Sequence, residues 1–338
     1  MTQQDIPSLL IIYTGGTFGM QFGSDGKQLK DFDFLSLKDS IPELKRLEVS
    51  FSIRRMEHLI DSSDMNPDYW VSLASIINDS YNEYDGFIIL HGTDTISYTA
   101  SALSFMLQNL AKPVVLTGAL LPLGDVRNDA RENLITSIEV AMMRVEGEAL
   151  FQEVMICFDN QLIRGNRATK SDSDHFRSIT SPNYPLLAEI GTTIEVNHSL
   201  LLKPKSDFKV KSDLEQDVFL LKLFPGISEN LLNALLLMPM KALVLETFGN
   251  GNIPSEVWFE NFLEKVILKG IVVVNVSQCL SGTVLQGKYQ VSNKLNRLGV
   301  IDGKNMTTET AITKLMYVLA QKDEDPVQLF QKSMVGEF

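Results

Sequence analysis

The sequence is poor in the residues that staple, metallate or bind phosphate backbones. Two cysteines in 338 residues cannot form a disulfide framework, so stability must come from a buried core in a reducing compartment. The four histidines, His58, His91, His175 and His198, lie far apart, and there is no HxxxH or CxxC pair to support a structural zinc site. Basic residues are outnumbered: 30 Lys and Arg against 42 Asp and Glu give a net charge of −12, the wrong sign for a nucleic-acid binder. The longest apolar runs, such as Gly270 to Val274, fall far short of the ~20 residues of a membrane span. Met1 to Ser8 has neither the basic start nor the apolar stretch of a signal peptide. Walker spacing and GxGxxG are both missing, so no phosphate loop is expected. These absences predict a cytoplasmic protein whose partners include neither nucleic acid nor membrane.

What is present is ordinary globular material, 44% hydrophobic and 21% charged. Short apolar runs alternate with amphipathic ones. Leu9 to Tyr13, Phe51 to Met56, Gly86 to Leu90, Pro113 to Leu116 and Val154 to Phe158 read as strands. Between them, helices are expected from Pro67, with Asp64 and Asn66 as caps, from Thr95 to about Leu110, and from Asn128 to Val145. Asn160 to Asp174 reads as a polar loop. The rhythm breaks over 195–217 and restarts at Val218 to Phe224, Ala242 to Leu245 and Ile271 to Val276, with helices from Ser228 to Leu237, near 255–268 and near 307–321. The fold class expected is α/β: a larger N-terminal domain with a parallel, flavodoxin-like sheet over residues 1–195, a linker over 196–217, and a smaller C-terminal α/β domain over 218–338.

Ligands of open parallel sheets bind beyond the carboxyl ends of the strands. Four loops leave those ends: Thr14-Gly15-Gly16-Thr17, Asp61-Ser62-Ser63-Asp64, Gly92-Thr93-Asp94-Thr95 and Arg164 to Lys170. Each has an ordinary reading. The first is a tight strand exit, Asp61 caps the next helix, Asp94 caps another, and Lys170 is a solvated lysine. Together they also suit chemistry. A threonine hydroxyl needs a base to become nucleophilic, a lysine amine can be that base, and serine hydroxyls with Asp94 could hold the two ends of a zwitterion. His91 and Cys157 read as packed core residues, and Cys279 as a structural or regulatory thiol.

At these loops the sequence resembles the bacterial L-asparaginases. Tyr13 to Thr17, Asp61 to Met65, His91 to Thr95 and Arg164 to Lys170 carry the likeness, and Phe224 to Ile227 and Asn275 to Cys279 favour the cytoplasmic type I branch. The resemblance implies hydrolysis of L-asparagine to L-aspartate and ammonia through a threonine acyl-enzyme. Thr14 would be the nucleophile, with Thr93, Lys170 and Asp94 as a second triad. Asp94 would bind the substrate ammonium, and Ser62 with Asp61 and Ser63 its carboxylate. No metal or other cofactor is implied. The family forms homodimers or dimers of dimers, with Asn252 the candidate contribution from a partner subunit. Two departures stand out. The stretch Gly23 to Leu29 lacks the tyrosine many relatives carry in a lid. Some members bind effector asparagine with an arginine near the position of Glu246 and a cysteine like Cys279, and Glu246 has the opposite charge. The other readings are another amide such as glutamine, the related subunit of a glutamyl-tRNA amidotransferase, and a non-catalytic amino-acid sensor. The missing extra domain and basic face argue against the second, and the intact threonine set against the third.

Overall fold

Leu9 to Tyr13 are buried throughout, as a strand paired on both edges and covered on both faces must be. The computed structural model describes residues 6–22, 29–31, 41–286 and 290–338. The chain divides into two units, Met1–Ser181 with Pro185–Ser212, and Pro182–Tyr184 with Asp213–Phe338.

The first unit contains β1 (Ser8–Tyr13), β2 (Ser50–Arg55), α1 (Pro67–Ser80), β3 (Gly86–Leu90), α2 (Ile96–Met106), β4 (Val114–Thr117), α3 (Ala130–Met142), β5 (Val154–Phe158), β6 (Gln161–Arg164), β7 (Thr169–Lys170), β8 (Ile179–Thr180), β9 (Ala188–Ile190) and β10 (Ile194–Val196). Its main sheet runs β10-β9-β6-β5-β4-β3-β1-β2. The five strands from β5 to β2 are all parallel, and in chain order they read 2-1-3-4-5, the flavodoxin-like arrangement. Leu9, Ile11 and Tyr13 share one core with Ile88, Leu90 and the α3 residues Ala130, Leu134 and Ile138. Alternation turns Leu10, Ile12, Phe87 and Ile89 to the other face, where they are equally buried.

The segment expected as a polar loop, Asn160 to Asp174, carries structure instead. Asp159 and Asn160 adopt φ of 45° and 58° and form the tight turn of a hairpin, Phe158 opposite Gln161. Consecutive left-handed residues are what a two-residue hairpin demands, and Asp and Asn tolerate them. β6, β9 and β10 then extend the parallel sheet with antiparallel neighbours. The helix expected to reach Val145 stops at Met142, because Glu146 and Gly147, at φ of 53° and 89°, turn a second hairpin. Within 196–212, Lys209–Val210 pairs with Leu107–Gln108, and Phe208 stacks on Tyr81 with centroids 3.8 Å apart. That stretch groups with the first unit as far as Ser212.

The second unit comprises β11 (Val218–Lys222), α4 (Glu229–Leu235), β12 (Ala242–Thr247), α5 (Val257–Leu268), β13 (Val272–Ser277), α6 (Gln290–Leu298), β14 (Ile301–Asp302), α7 (Thr308–Leu319) and α8 (Pro326–Gln331). β11 to β14 form a parallel sheet in sequential order. α7 is capped by Thr307, whose hydroxyl accepts from the Thr310 amide, and α8 by Asp325 ahead of Pro326. α6, β14 and α8 are absent from the sequence reading. The first is polar on average and the other two are very short. The chain end folds back onto α7: Lys314 pairs with Glu337, and both are fully buried. The Glu337 carboxylate also accepts the amides of Met334 and Val335 at 3.0 and 2.9 Å. Among the described residues, no helix is long and apolar enough to cross a membrane.

Candidate active site

The order of the parallel strands reverses where β1 lies between β2 and β3, which is where a crevice opens above an α/β sheet. Tyr13 is in register with Leu90, so Thr14 and His91 leave the sheet side by side. The two loops touch through glycine. A Cβ on Gly16 would lie 2.9 Å from the Gly92 Cα, and one on Gly15, at φ 119°, would lie 2.2 Å from the Ile60 carbonyl oxygen. Only glycine permits both the backbone angle and the contact.

Thr93, Asp94 and Lys170 come together. Lys170 Nζ donates to Thr93 Oγ1 at 2.9 Å and pairs with the Asp94 carboxylate. Thr93 is buried, the Lys170 side chain is mostly buried, and Asp94 is exposed. The antiparallel pairing of β7 with β8, Lys170 opposite Ile179, fixes the lysine backbone. Thr93 and Asp94 lie just before α2, where unsatisfied backbone N–H groups favour negative charge. The solvated-surface reading of Lys170 therefore does not hold.

Thr14 is buried in the adjoining loop. Its hydroxyl donates to the Leu90 carbonyl at 3.1 Å, so its one proton points at backbone rather than at a side-chain base. Its amide also donates to Leu90 O, and its carbonyl accepts from Ile60 N at 2.9 Å. Of the stretch Gly23 to Leu29, matched above to the lid of relatives, Gly23 to Gln28 lies outside the described residues.

The loop after β2 divides its residues. Asp61 accepts the Ser63 amide at 2.9 Å and the Ser63 hydroxyl at 3.0 Å. Those bonds, the amide first, hold the Asp61 carboxyl below the usual carboxylate range. Asp61 thus caps only the short turn Ser62–Asp64 and not the Pro67 helix, which is capped by Asn66, whose side chain accepts from the Asp68 amide at 3.0 Å. Ser62, in contrast, is buried against the loop after β3, and a Cβ on Gly92 would come within 2.5 Å of its Oγ. Its carbonyl accepts the Thr95 hydroxyl at 2.7 Å. Sequence reading assigned Thr95 no task. It stands at the N-cap of α2, where its side chain would be expected to cap, but it makes no cap bond.

His91 is a core residue, as expected. Its Nδ1 faces the Gly92 carbonyl at 2.7 Å and its Nε2 the Thr99 hydroxyl at 2.9 Å, while Trp70 Nε1 donates to Thr99. The partners fix the tautomer. Gly92 O can only accept, so Nδ1 carries the proton and Nε2 accepts from Thr99. Burial lowers its pKa to about 4, which keeps the ring neutral. Burial also pushes the Cys157 thiol up to about 12, so it is no nucleophile.

In the second unit, Glu246 is buried on β12. It accepts the Thr308 hydroxyl at 2.6 Å and pairs with Lys222 at 3.2 Å. Cys279 is exposed, and Asn252 lies in a turn closed by pairing with Phe248.

The family model Asparaginase, N-terminal matches residues 8–202, and Glutaminase/Asparaginase C-terminal domain matches 217–331. The chain is 41% identical to L-asparaginase 1 of Escherichia coli over 317 residues, covering 93% of this chain and 92% of that protein. The solved L-asparaginase I of Vibrio cholerae superposes with a TM-score of 0.88 at 40% identity, covering 98% of this chain and 99% of that one. The thermostable L-asparaginase of Thermococcus kodakarensis gives 0.89 at 29% identity, with 98% and 99% covered.

Proposed function

We propose that this chain, which belongs to the asparaginase family and is an amidohydrolase of its type I branch, hydrolyses the side-chain amide of L-asparagine to L-aspartate and ammonia. The observation that carries this reading is the 2.9 Å hydrogen bond from Lys170 Nζ to Thr93 Oγ1, with Asp94 on the same nitrogen. A lysine held between a threonine hydroxyl and a carboxylate can move that hydroxyl's proton, which a solvated lysine cannot do.

Thr14 acts as the nucleophile. Its Oγ adds to the amide carbon, the C–N bond breaks, and the nitrogen leaves as ammonia with the hydroxyl proton. The resulting ester carries the aspartyl group on Thr14. Water, passing a proton through Thr93 to Lys170, then attacks the ester carbon; the ester C–O bond breaks, that proton returns to Thr14 Oγ, and aspartate leaves. The amide oxygen gains negative charge in both steps. Free N–H groups at the start of α2 are suited to receive it, and one such donor is typically worth ~3 kcal/mol. Asp94 takes the substrate ammonium and Ser62 its carboxylate, so both ends of the amino acid are fixed and the amide is delivered in one orientation. Asp61 and Ser63 serve this site by shaping the loop around Ser62. The chain acts as a homodimer or dimer of dimers in the cytoplasm, with Asn252 of the partner subunit completing the site.

The test is mass spectrometry of the protein trapped with a slow amide analogue of asparagine. A mass increase on the peptide containing Thr14 is expected. An adduct on Thr93 would exchange the two roles. No adduct and no ammonia from asparagine would overturn the reading.

A further inference from the structure

Four loops must hold their relative positions for a single small amino acid to be gripped at both ends, and two of them are joined by one side chain. Thr95 Oγ1 donates to the Ser62 carbonyl at 2.7 Å, across 33 residues of chain. The bond is partly buried. Thr95 begins α2 yet leaves the helix uncapped by its side chain, although threonine at this position normally accepts from an amide of the first turn. Its hydroxyl is used between loops instead.

The bonds of Asp61 to Ser63 hold Ser62 within its own loop but do not reach the loop of Asp94. The Ser62 carbonyl also accepts the Met65 amide at 3.2 Å, within its own turn. Its side chain lies against Gly92, where any Cβ would come within 2.5 Å of Oγ. Van der Waals contact alone limits how near the two loops come but does not fix their register. The Thr95 hydroxyl does fix it: the backbone of Ser62 is bonded to the residue following Asp94. A threonine methyl at the same position can pack but cannot supply this bond. We infer that Thr95 is a positioning residue for substrate recognition, holding Ser62 at the correct distance from Asp94 so that one α-amino acid spans the carboxylate and ammonium ends together. This rests on the site reading proposed above and adds a residue to it. Thr95 itself touches the Ser62 backbone and not the reacting amide.

The experiment uses the full-length protein with Thr95→Val, which keeps the shape and loses the hydroxyl, and Thr95→Ser, which keeps the hydroxyl. Steady-state kinetics on L-asparagine are measured for each, and L-aspartate affinity is measured by calorimetry. In the Thr95→Val variant, KM is expected to rise and L-aspartate affinity to fall by about tenfold, with kcat within about threefold of the wild type, because the chemical groups remain while the grip on the carboxylate slackens. Thr95→Ser should restore both. A purely structural role for Thr95 would lower active fraction and thermal stability and leave KM unmoved. Unchanged KM and affinity in Thr95→Val, or a loss confined to kcat, would overturn the inference while leaving the asparaginase reading intact. If Thr95→Val fails to fold, Thr95→Ser with a wild-type KM and Thr95→Ala with a raised one are the supporting pair, and equal KM in both is the overturning result. A wild-type protein that neither releases ammonia from asparagine nor binds aspartate would remove the underlying reading, and this inference with it.

Discussion

Lys170 Nζ stands 2.9 Å from Thr93 Oγ1 and holds Asp94 with the same nitrogen, joining residues 76 and 77 positions apart in the chain. Lys170→Met keeps the stem and removes the proton carrier. It should lower kcat for asparagine by about 10²–10⁴, the usual span for losing a general base, while the thermal midpoint stays within a few degrees. Ammonia release and calorimetry on one preparation check this. Wild-type turnover in Lys170→Met would remove the lysine from the mechanism.

His91 makes stability depend on acid. Its ordinary pKa is 6.5 and burial lowers it to about 4 in the folded chain, so the unfolded chain takes up the proton first. The stability conferred by the neutral ring is complete above pH 6.5 and is lost as pH falls toward 4, on the order of 3 kcal/mol in total. Chemical denaturation at pH 7 and pH 4.5 should show a steeper loss in the wild type than in His91→Gln. Parallel pH profiles would refute it.

The buried pair of Lys314 and Glu337 secures the chain end in the second unit. Burial alone would raise the Glu337 carboxyl, but Lys314 and the Val335 and Met334 amides hold it below its usual range. Glu337→Gln strands a buried cation and should cost about 3–5 kcal/mol. Adding Lys314→Met removes the stranded charge, and the double variant should recover most of the loss. Unfolding curves of the three proteins decide the matter, and equal stability of the single variant and the wild type would rule it out.

Glu246 stands near the position where the resemblance places an effector-binding arginine in some relatives, and its carboxylate is already satisfied by Thr308 and Lys222. A carboxylate repels the carboxylate of an amino acid. Rate against asparagine concentration should therefore be hyperbolic, with a Hill coefficient of about 1. A sigmoidal curve would show that an activating site exists despite the reversed charge.

Much of this was readable from the chain alone. Gly86 to Leu90 and Val154 to Phe158 are strands with the bounds their apolar runs suggest, because five consecutive apolar residues between turn signals have few other ways to be buried. Pro67 after Asn66 marks a helix start in sequence and in space. The hairpin at Asp159-Asn160 was missed because its polar residues suit either a loop or a two-residue turn, and only the partner strand chooses between them. α6 was missed because its residues are mostly polar.

The residue types at the site, two threonines after glycine-flanked strand ends, an aspartate and a lysine, were set by the sequence, since local backbone and covalent chemistry need no distant partner. Which of them meet was set only by tertiary structure. Lys170 could have been a surface lysine until β7 pairing brought it to Thr93, and Asp61 and Ser63 were equally fit for ligand or cap until they bonded each other. Thr95 carries no mark in sequence, because its hydroxyl acts on a carbonyl 33 residues away. Distances between residues far apart in the chain depend on how the strands order themselves in the sheet, and no local pattern encodes that order.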